Sequence, residues 1–307
     1  MFRGLLDSPV LPHTAFARAD AFAQEQRALS QFNHDRLAPG LGDYESTVAH
    51  DDMLGMERDF VSRARAEIAP LIASVPDDAK TFVKWFEDLK HTGPGQGDTL
   101  FPWLAEQASY PQMQWFLAQE VAGEAGFDDL VAMTQVKMPA RAKLEMARNY
   151  WDEMGRGDPK GMHGPMLDRL AKHMEIEAEI DSTVAESLAL GNMMMALASN
   201  RLFAFHSVGA LGAIEMTAPG RAVYVTQGLN RLGVPKKQSH YFALHSVLDV
   251  KHSLAWNAEV LMPLVEEDPR RAKAIAEGAV LRLWCGEQCF KRYRREFGLA
   301  DSAARIH

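Results

Sequence analysis

His245, Asp249 and His252 stand at i, i+4 and i+7 in the segment Ala243-Leu-His-Ser-Val-Leu-Asp-Val-Lys-His252. At about 100° per residue, the three side chains fall within roughly 60° of one helix face. The residues between them are mostly apolar, so the segment reads as a helix set into a core with its polar groups on one inward stripe. Two imidazoles and a carboxylate are costly to bury without partners. A fold that hosts this helix must therefore supply an ion or a dense hydrogen-bond network. The donor set suits iron, manganese or zinc. The plain alternative is two ordinary polar histidines beside a solvated Asp249.

The rest of the chain reads as helices. Apolar residues recur near the helical period over Ala15–Leu37 and Asp51–Val75, and a third helix is expected over Asp77–His91. Thr92-Gly-Pro-Gly-Gln-Gly-Asp98 then breaks the pattern and marks the strongest boundary. It divides an N-terminal helical extension, residues 1–105, from a core domain, residues 106–307. A long helix is expected from Tyr110 to about Gln135, then helices over Ala140–Met154, Met162–Glu175 and Val184–Asn200. Leu202–Met216 stops before Pro219, and Ala222–Leu232, Gln238–Glu267 and Arg270–Phe297 follow. With no strand pattern or internal repeat, the fold class is all-α, a helical bundle. Met193-Met-Met195 reads as core packing. Cys285 and Cys289, the two cysteines, read as buried thiols, too few for a disulfide framework.

A second set of donors lies upstream. Glu215 ends the almost wholly apolar run Phe203–Ile214, where a lone carboxylate is costly unless paired or bound to a cation; a helix cap or a salt bridge to Arg221 is the bland reading. Glu153 closes one helix and His163 opens the next across the turn-rich Gly155–Gly161. Asp152 and Glu153 read alone as solvated termini, and His163 alone as structural. Together, Glu153, His163, Glu215, His245, Asp249 and His252 supply three carboxylates and three imidazoles, an inventory that suits two iron ions.

Their order and spacing resemble the haem-oxygenase-like diiron oxidases and oxygenases. That family places a Glu and a His around the first core helix, a Glu on the next, and His-x3-Asp-x2-His on a third. This chain has Glu153 and His163, then Glu215, then His245-Ser-Val-Leu-Asp249-Val-Lys-His252. Asn149-Tyr-Trp-Asp-Glu153-Met-Gly, with His163 ten residues past the Glu, is also similar to members that oxygenate nitrogen. The resemblance covers roughly residues 110–297 and is silent on the N-terminal extension. It implies a haem-oxygenase-like bundle and all six residues as metal ligands and catalytic residues. It further implies two Fe(II) ions or an Mn/Fe pair, O2 as co-substrate, an external reductant or electron donor, and a homodimer. The small-molecule substrate is an amine, amino acid or fatty acid, with N-oxygenation, oxidative C–C cleavage, desaturation or decarboxylation as outcomes. Glu120 and Glu124 are candidates for one further carboxylate ligand. No paired Glu-x-x-His motifs of a ferritin-like scaffold are evident.

Phe203, Phe205, His206, Tyr241 and Phe242 are candidate cavity walls, against simple core packing. Arg201 and Arg221 read as surface charges, with a substrate carboxylate as the sharper alternative. Two rival readings of the whole stay open. One is a metal-free protein of the same architecture that binds haem or another organic ligand. The other is a non-enzymatic helical interaction protein with a structural metal. Lys291–Arg295 and Pro269–Lys273 would then be partner patches, although they read better as solvated helix faces. Thirty-three basic against forty-one acidic residues give a net charge of −8, which argues against a nucleic-acid or anionic-membrane partner. No apolar run approaches the roughly 18 residues of a membrane span, and the first residues lack the order of a signal peptide, so the cytoplasm is the expected location.

Overall fold

The computed structural model describes residues 13–40, 50–123 and 126–300. Among the described residues all regular elements are helical, apart from one isolated bridge between Met154 and Met162. The helices are α1 (His13–Leu37), α2 (His50–Ile68), α3 (Ala79–Thr92), α4 (Leu100–Glu106), α5 (Tyr110–Gly123), α6 (Phe127–Thr134) and α7 (Ala140–Glu153). After them come α8 (His163–His173), α9 (Ala185–Ser199), α10 (Ala204–Arg231), α11 (His240–Trp256), α12 (Met262–Glu267) and α13 (Arg271–Glu296). No helix of the described residues is long and apolar enough to cross a membrane. The first twelve residues and Glu124 lie outside the described residues.

α10 is the central element, packed against α4, α9, α11 and α13. Its crossing with α13 is set by two glycines. A Cβ at Gly209 would overlap the Ile275 carbonyl oxygen, and one at Gly278 would overlap that of His206. The two backbones therefore touch, which no larger residue allows. Phe60 on α2 and Phe82 and Phe86 on α3 are buried in the same apolar cluster as Met193–Met195 on α9, Val208 on α10 and Ile275 on α13. The methionine run is core packing, as expected. Asp78 caps α3, accepting from Thr81 N at 3.0 Å.

Three expectations are corrected. The single helix Tyr110–Gln135 is two, α5 and α6, because Gly126 takes φ +69° and turns the chain between them. The stop before Pro219 does not occur: α10 runs through it. An internal proline costs a helix about 3 kcal/mol, but Met216, Ala222, Val225 and Leu229 are buried on both sides of it, and that packing holds the helix together. Nor is Lys291–Arg295 a solvated face, since Tyr293 and Arg294 are buried and Arg294 pairs with Asp98. By contrast, α11 continues through a π-helical turn, Asn257–Leu261, into α12. Widening the turn there accommodates Pro263, whose ring would meet the carbonyl of residue 259 in a regular helix.

Candidate metal centre

α7 and α8 meet at a tight loop. Gly155 takes φ +62°, and a Cβ on it would overlap the Gly161 backbone. Gly161 N donates to Asp158 O at 2.8 Å, and Met154 and Met162 pair across the loop as an antiparallel bridge. The residues just outside that bridge are Glu153 and His163, and they are brought together: Glu153 Oε2 lies 2.6 Å from His163 Nδ1. Both are buried.

α11 lies against this pair and against α10. It carries its polar stripe inward, with Asp249 and His252 buried, while Val247, Val250 and Leu254 on the same helix are exposed. The six donors fall into two groups. Glu153, His163 and His245 form one, and Glu215, Asp249 and His252 the other; in each, one donor atom per residue lies within 4.8 Å of the others. α11 thus contributes to both. Glu153, His245, Glu215 and Asp249 line a single cavity of about 130 Å3, so the two groups open on one space.

The side chains around the donors fix their orientation. His245 Nδ1 sits 2.7 Å from Tyr241 O, which leaves Nε2 as its free donor. His252 Nε2 sits 3.1 Å from Asp152 Oδ2, and Arg156 Nε donates to Asp152 Oδ1 at 2.6 Å. His252 Nδ1 then faces Glu215 Oε2 at 3.4 Å. Asn149 Nδ2 donates to Glu215 Oε1 at 2.5 Å. Asp152 is therefore not a solvated terminus: against the push of burial, hydrogen bonds with Arg156 and His252 hold its carboxyl below the ordinary value. Asn149, Asp152 and Arg156 are the positioning residues that sequence reasoning missed. Their signal was helical spacing, since Asn149, Asp152, Glu153 and Arg156 lie three or four residues apart along the end of α7 and just past it.

Burial lowers His163 to about 4, aided by His252, and lowers His245 to about 4, aided by His163. Both rings are neutral at pH 7 with a lone pair to give. Burial pulls His252 down as well, but Glu215 and Asp152 outweigh it and raise the ring to about 9. Glu153 is pushed well above its ordinary value by burial and by Glu215.

The arrangement fits a metal. His163 Nδ1, Glu215 Oε2 and His252 Nδ1 are buried with no hydrogen-bond partner of acceptable geometry, yet each lies against another donor of its group. Such atoms are costly unless a cation joins them. Mixed imidazole and carboxylate donors, with one cavity at their edge, match iron and leave room for a small molecule.

The cavity walls are partly as expected. Tyr241 and Phe242 line it, with Phe116, Phe127, Leu167 and Ile214. Phe203 and Phe205 instead pack on the core, and His206 Nε2 meets Glu277 Oε2 at 3.1 Å. Arg201 donates to the carbonyls of Met133 and Thr134, at the end of α6, and of Val136 just past it. Arg221, expected at the surface, lines the cavity, as does Glu120.

Residues 114–287 match the model of a family described as "iron-containing redox enzyme". Two crystal structures of a CADD-like protein of unknown function from Nostoc punctiforme PCC 73102 share the fold. One aligns at a TM-score of 0.55 with 18% identity, covering 71% of this chain and 97% of that one. The other aligns at 0.53 with 18% identity, covering 71% and 95%. No curated protein matches the chain.

Proposed function

From the premise that this chain belongs to the iron-containing redox enzyme family, we propose that it is a non-haem diiron oxidase or oxygenase. It uses O2 to oxidise a small molecule held in the cavity beside the two donor groups. The observation that carries this reading is the division of six donors, five of them buried and His245 half-buried, into two sets of three around one cavity. Glu153, His163 and His245 would hold one ion, and Glu215, Asp249 and His252 the other. Held by these residues, ferrous ions would supply the electrons that turn O2 into an oxidant, with an external electron donor to restore them.

The protein's own contribution is placement and proton control. The short loop between α7 and α8 presets Glu153 against His163, and Asp152 and Asn149 hold His252 and Glu215 before any ion arrives. Such preset donors lower the ordering cost of binding. Asp152, tied to Arg156, accepts a hydrogen bond from His252 Nε2–H and so turns Nδ1 toward Glu215, where the ring, raised to about 9, gives up its Nδ1 proton as an ion binds. Phe116, Phe127, Leu167 and Phe242 exclude water from the cavity and shape it for an apolar body. The substrate class is an amine, an amino acid or a fatty acid. Three carboxylates meeting three imidazoles weigh against a haem pocket, which needs far fewer of them.

The test is O2 uptake by protein loaded anaerobically with Fe(II), then mixed with oxygenated buffer and a panel of amines, amino acids and fatty acids. Substrate-dependent uptake is the expected result. Uptake no faster than that of Fe(II) in buffer, across the whole panel, overturns the reading.

A further inference from the structure

A cluster of charges in the cavity plays no part in holding the two donor groups. Arg221 on α10, Arg282 on α13 and Glu120 on α5 all line it. Arg221 Nη2 donates to Thr217 Oγ1 at 3.1 Å, and its guanidinium lies 5.5 Å from the Phe290 ring centroid and 6.0 Å from that of Phe101. Arg282 Nε is buried with no hydrogen-bond partner. Glu120 accepts from the Tyr293 hydroxyl at 3.0 Å.

Two guanidiniums therefore face one carboxylate. Each guanidinium carries five N–H donors in a planar fork that fits a carboxylate. Burial pushes the Glu120 carboxyl up despite Arg221, while burial and Arg282 lower Arg221 to about 10, where it is still charged at neutral pH. The cluster thus holds at least one unbalanced positive charge among aromatic rings, an expensive arrangement unless an anion enters. Along α10, Arg221 lies six residues past Glu215, about 9 Å at 1.5 Å per residue. Ala218 stands between the two and Ala222 just past Arg221, both lining the cavity with small side chains that leave the path open.

We propose that the substrate is an organic carboxylate whose head group is held by Arg221 and Arg282, with its apolar body lying toward Glu153, Glu215, His245 and Asp249. The inference rests on reading those four residues as part of the metal centre. It sets the atom to be oxidised several bonds from the acid group, unlike an acid that binds a metal directly through its carboxylate.

Anaerobic isothermal titration of the full chain, with and without Fe(II), using hexanoate, hexylamine and hexan-1-ol varies the head group on a constant body. Hexanoate is expected to bind at least ten times more tightly than the other two, and Arg282→Met or Arg221→Met to remove that preference. Glu120→Gln, which deletes the competing negative charge, is expected to tighten hexanoate several-fold, a gain that misfolding cannot imitate. Hexanoate binding no tighter than hexan-1-ol, or unchanged in Arg282→Met, overturns the proposal. The iron-free arm separates it from the oxygenase reading. Hexanoate held by Arg221 and Arg282, in protein that never consumes O2, keeps the carboxylate site and removes the oxygenase. Substrate-dependent O2 uptake with no preference for the acid does the reverse.

Discussion

His252 Nε2 rests 3.1 Å from Asp152 Oδ2, and Asp152 is itself anchored by Arg156 at 2.6 Å. This chain of contacts decides which nitrogen of His252 faces Glu215. Removing the negative charge from such a partner costs a metal site about 10–100-fold in affinity. Asp152→Asn is therefore expected to weaken one of two Fe(II)-binding steps by that factor and leave the other alone. Anaerobic Fe(II) titration followed by calorimetry reads both steps. Equal weakening of the two would mean that Asp152 supports the fold rather than His252.

α11 buries Asp249 and His252 and exposes Val247, Val250 and Leu254, the reverse of ordinary amphipathic burial. Its packing alone therefore stabilises it poorly, and a cation bound only by the folded helix adds binding free energy to its stability. Amide exchange over residues 240–256 is expected to slow on anaerobic Fe(II) binding, with little change in α13. If α11 is equally protected with and without Fe(II), its order does not depend on the metal.

The α10–α13 crossing gives a prediction about the scaffold. A methyl group at Gly278 has no room beside the His206 carbonyl. Gly278→Ala is expected to cost about 3 kcal/mol, the upper part of the usual overpacking range. Urea unfolding of the variant checks this, and a loss below about 1 kcal/mol would mean that the helices separate easily.

Acid stability should report Glu277. Burial pushes its carboxyl up, but hydrogen bonds with His206 and Arg65 prevail and hold it at about 2, against 4.5 for an ordinary glutamate. A depressed carboxylate stabilises the fold above its unfolded value, and that stabilisation is lost as pH falls through the folded value. The contribution is thus complete above about pH 4.5 and fades toward pH 2. Glu277→Gln is expected to lower stability at pH 7 and to flatten the fall in unfolding free energy across that window. A variant that keeps the wild-type slope would place the acid sensitivity elsewhere.

The fold was legible because many of its helices carry apolar residues at the helical period, and Glu215, His245, Asp249 and His252 stood out for related reasons, whereas Glu153 and His163 gained meaning only beside those four. Glu215 is a carboxylate inside an apolar run, and the His-Asp-His stripe is polar where its neighbours are apolar. What stayed hidden depended on long-range contact. Asp152 looks like any helix-end acid until His252, a hundred residues later, lies against it. Arg221 read as a surface charge, yet α10 continues through Pro219 and the residue lines the cavity. Arg282 sits in a helix rich in arginines, and no local pattern tells a cavity guanidinium from a surface one.

Iron content tests the account most directly. Wild-type protein, His245→Ala and His252→Ala would each be loaded with Fe(II) under anaerobic conditions, freed of unbound metal and analysed for iron per chain. The two-group arrangement predicts about two irons in the wild type and about one in each variant, because each histidine serves a different group. A wild-type chain that retains no iron, or variants that both still hold two, would contradict it.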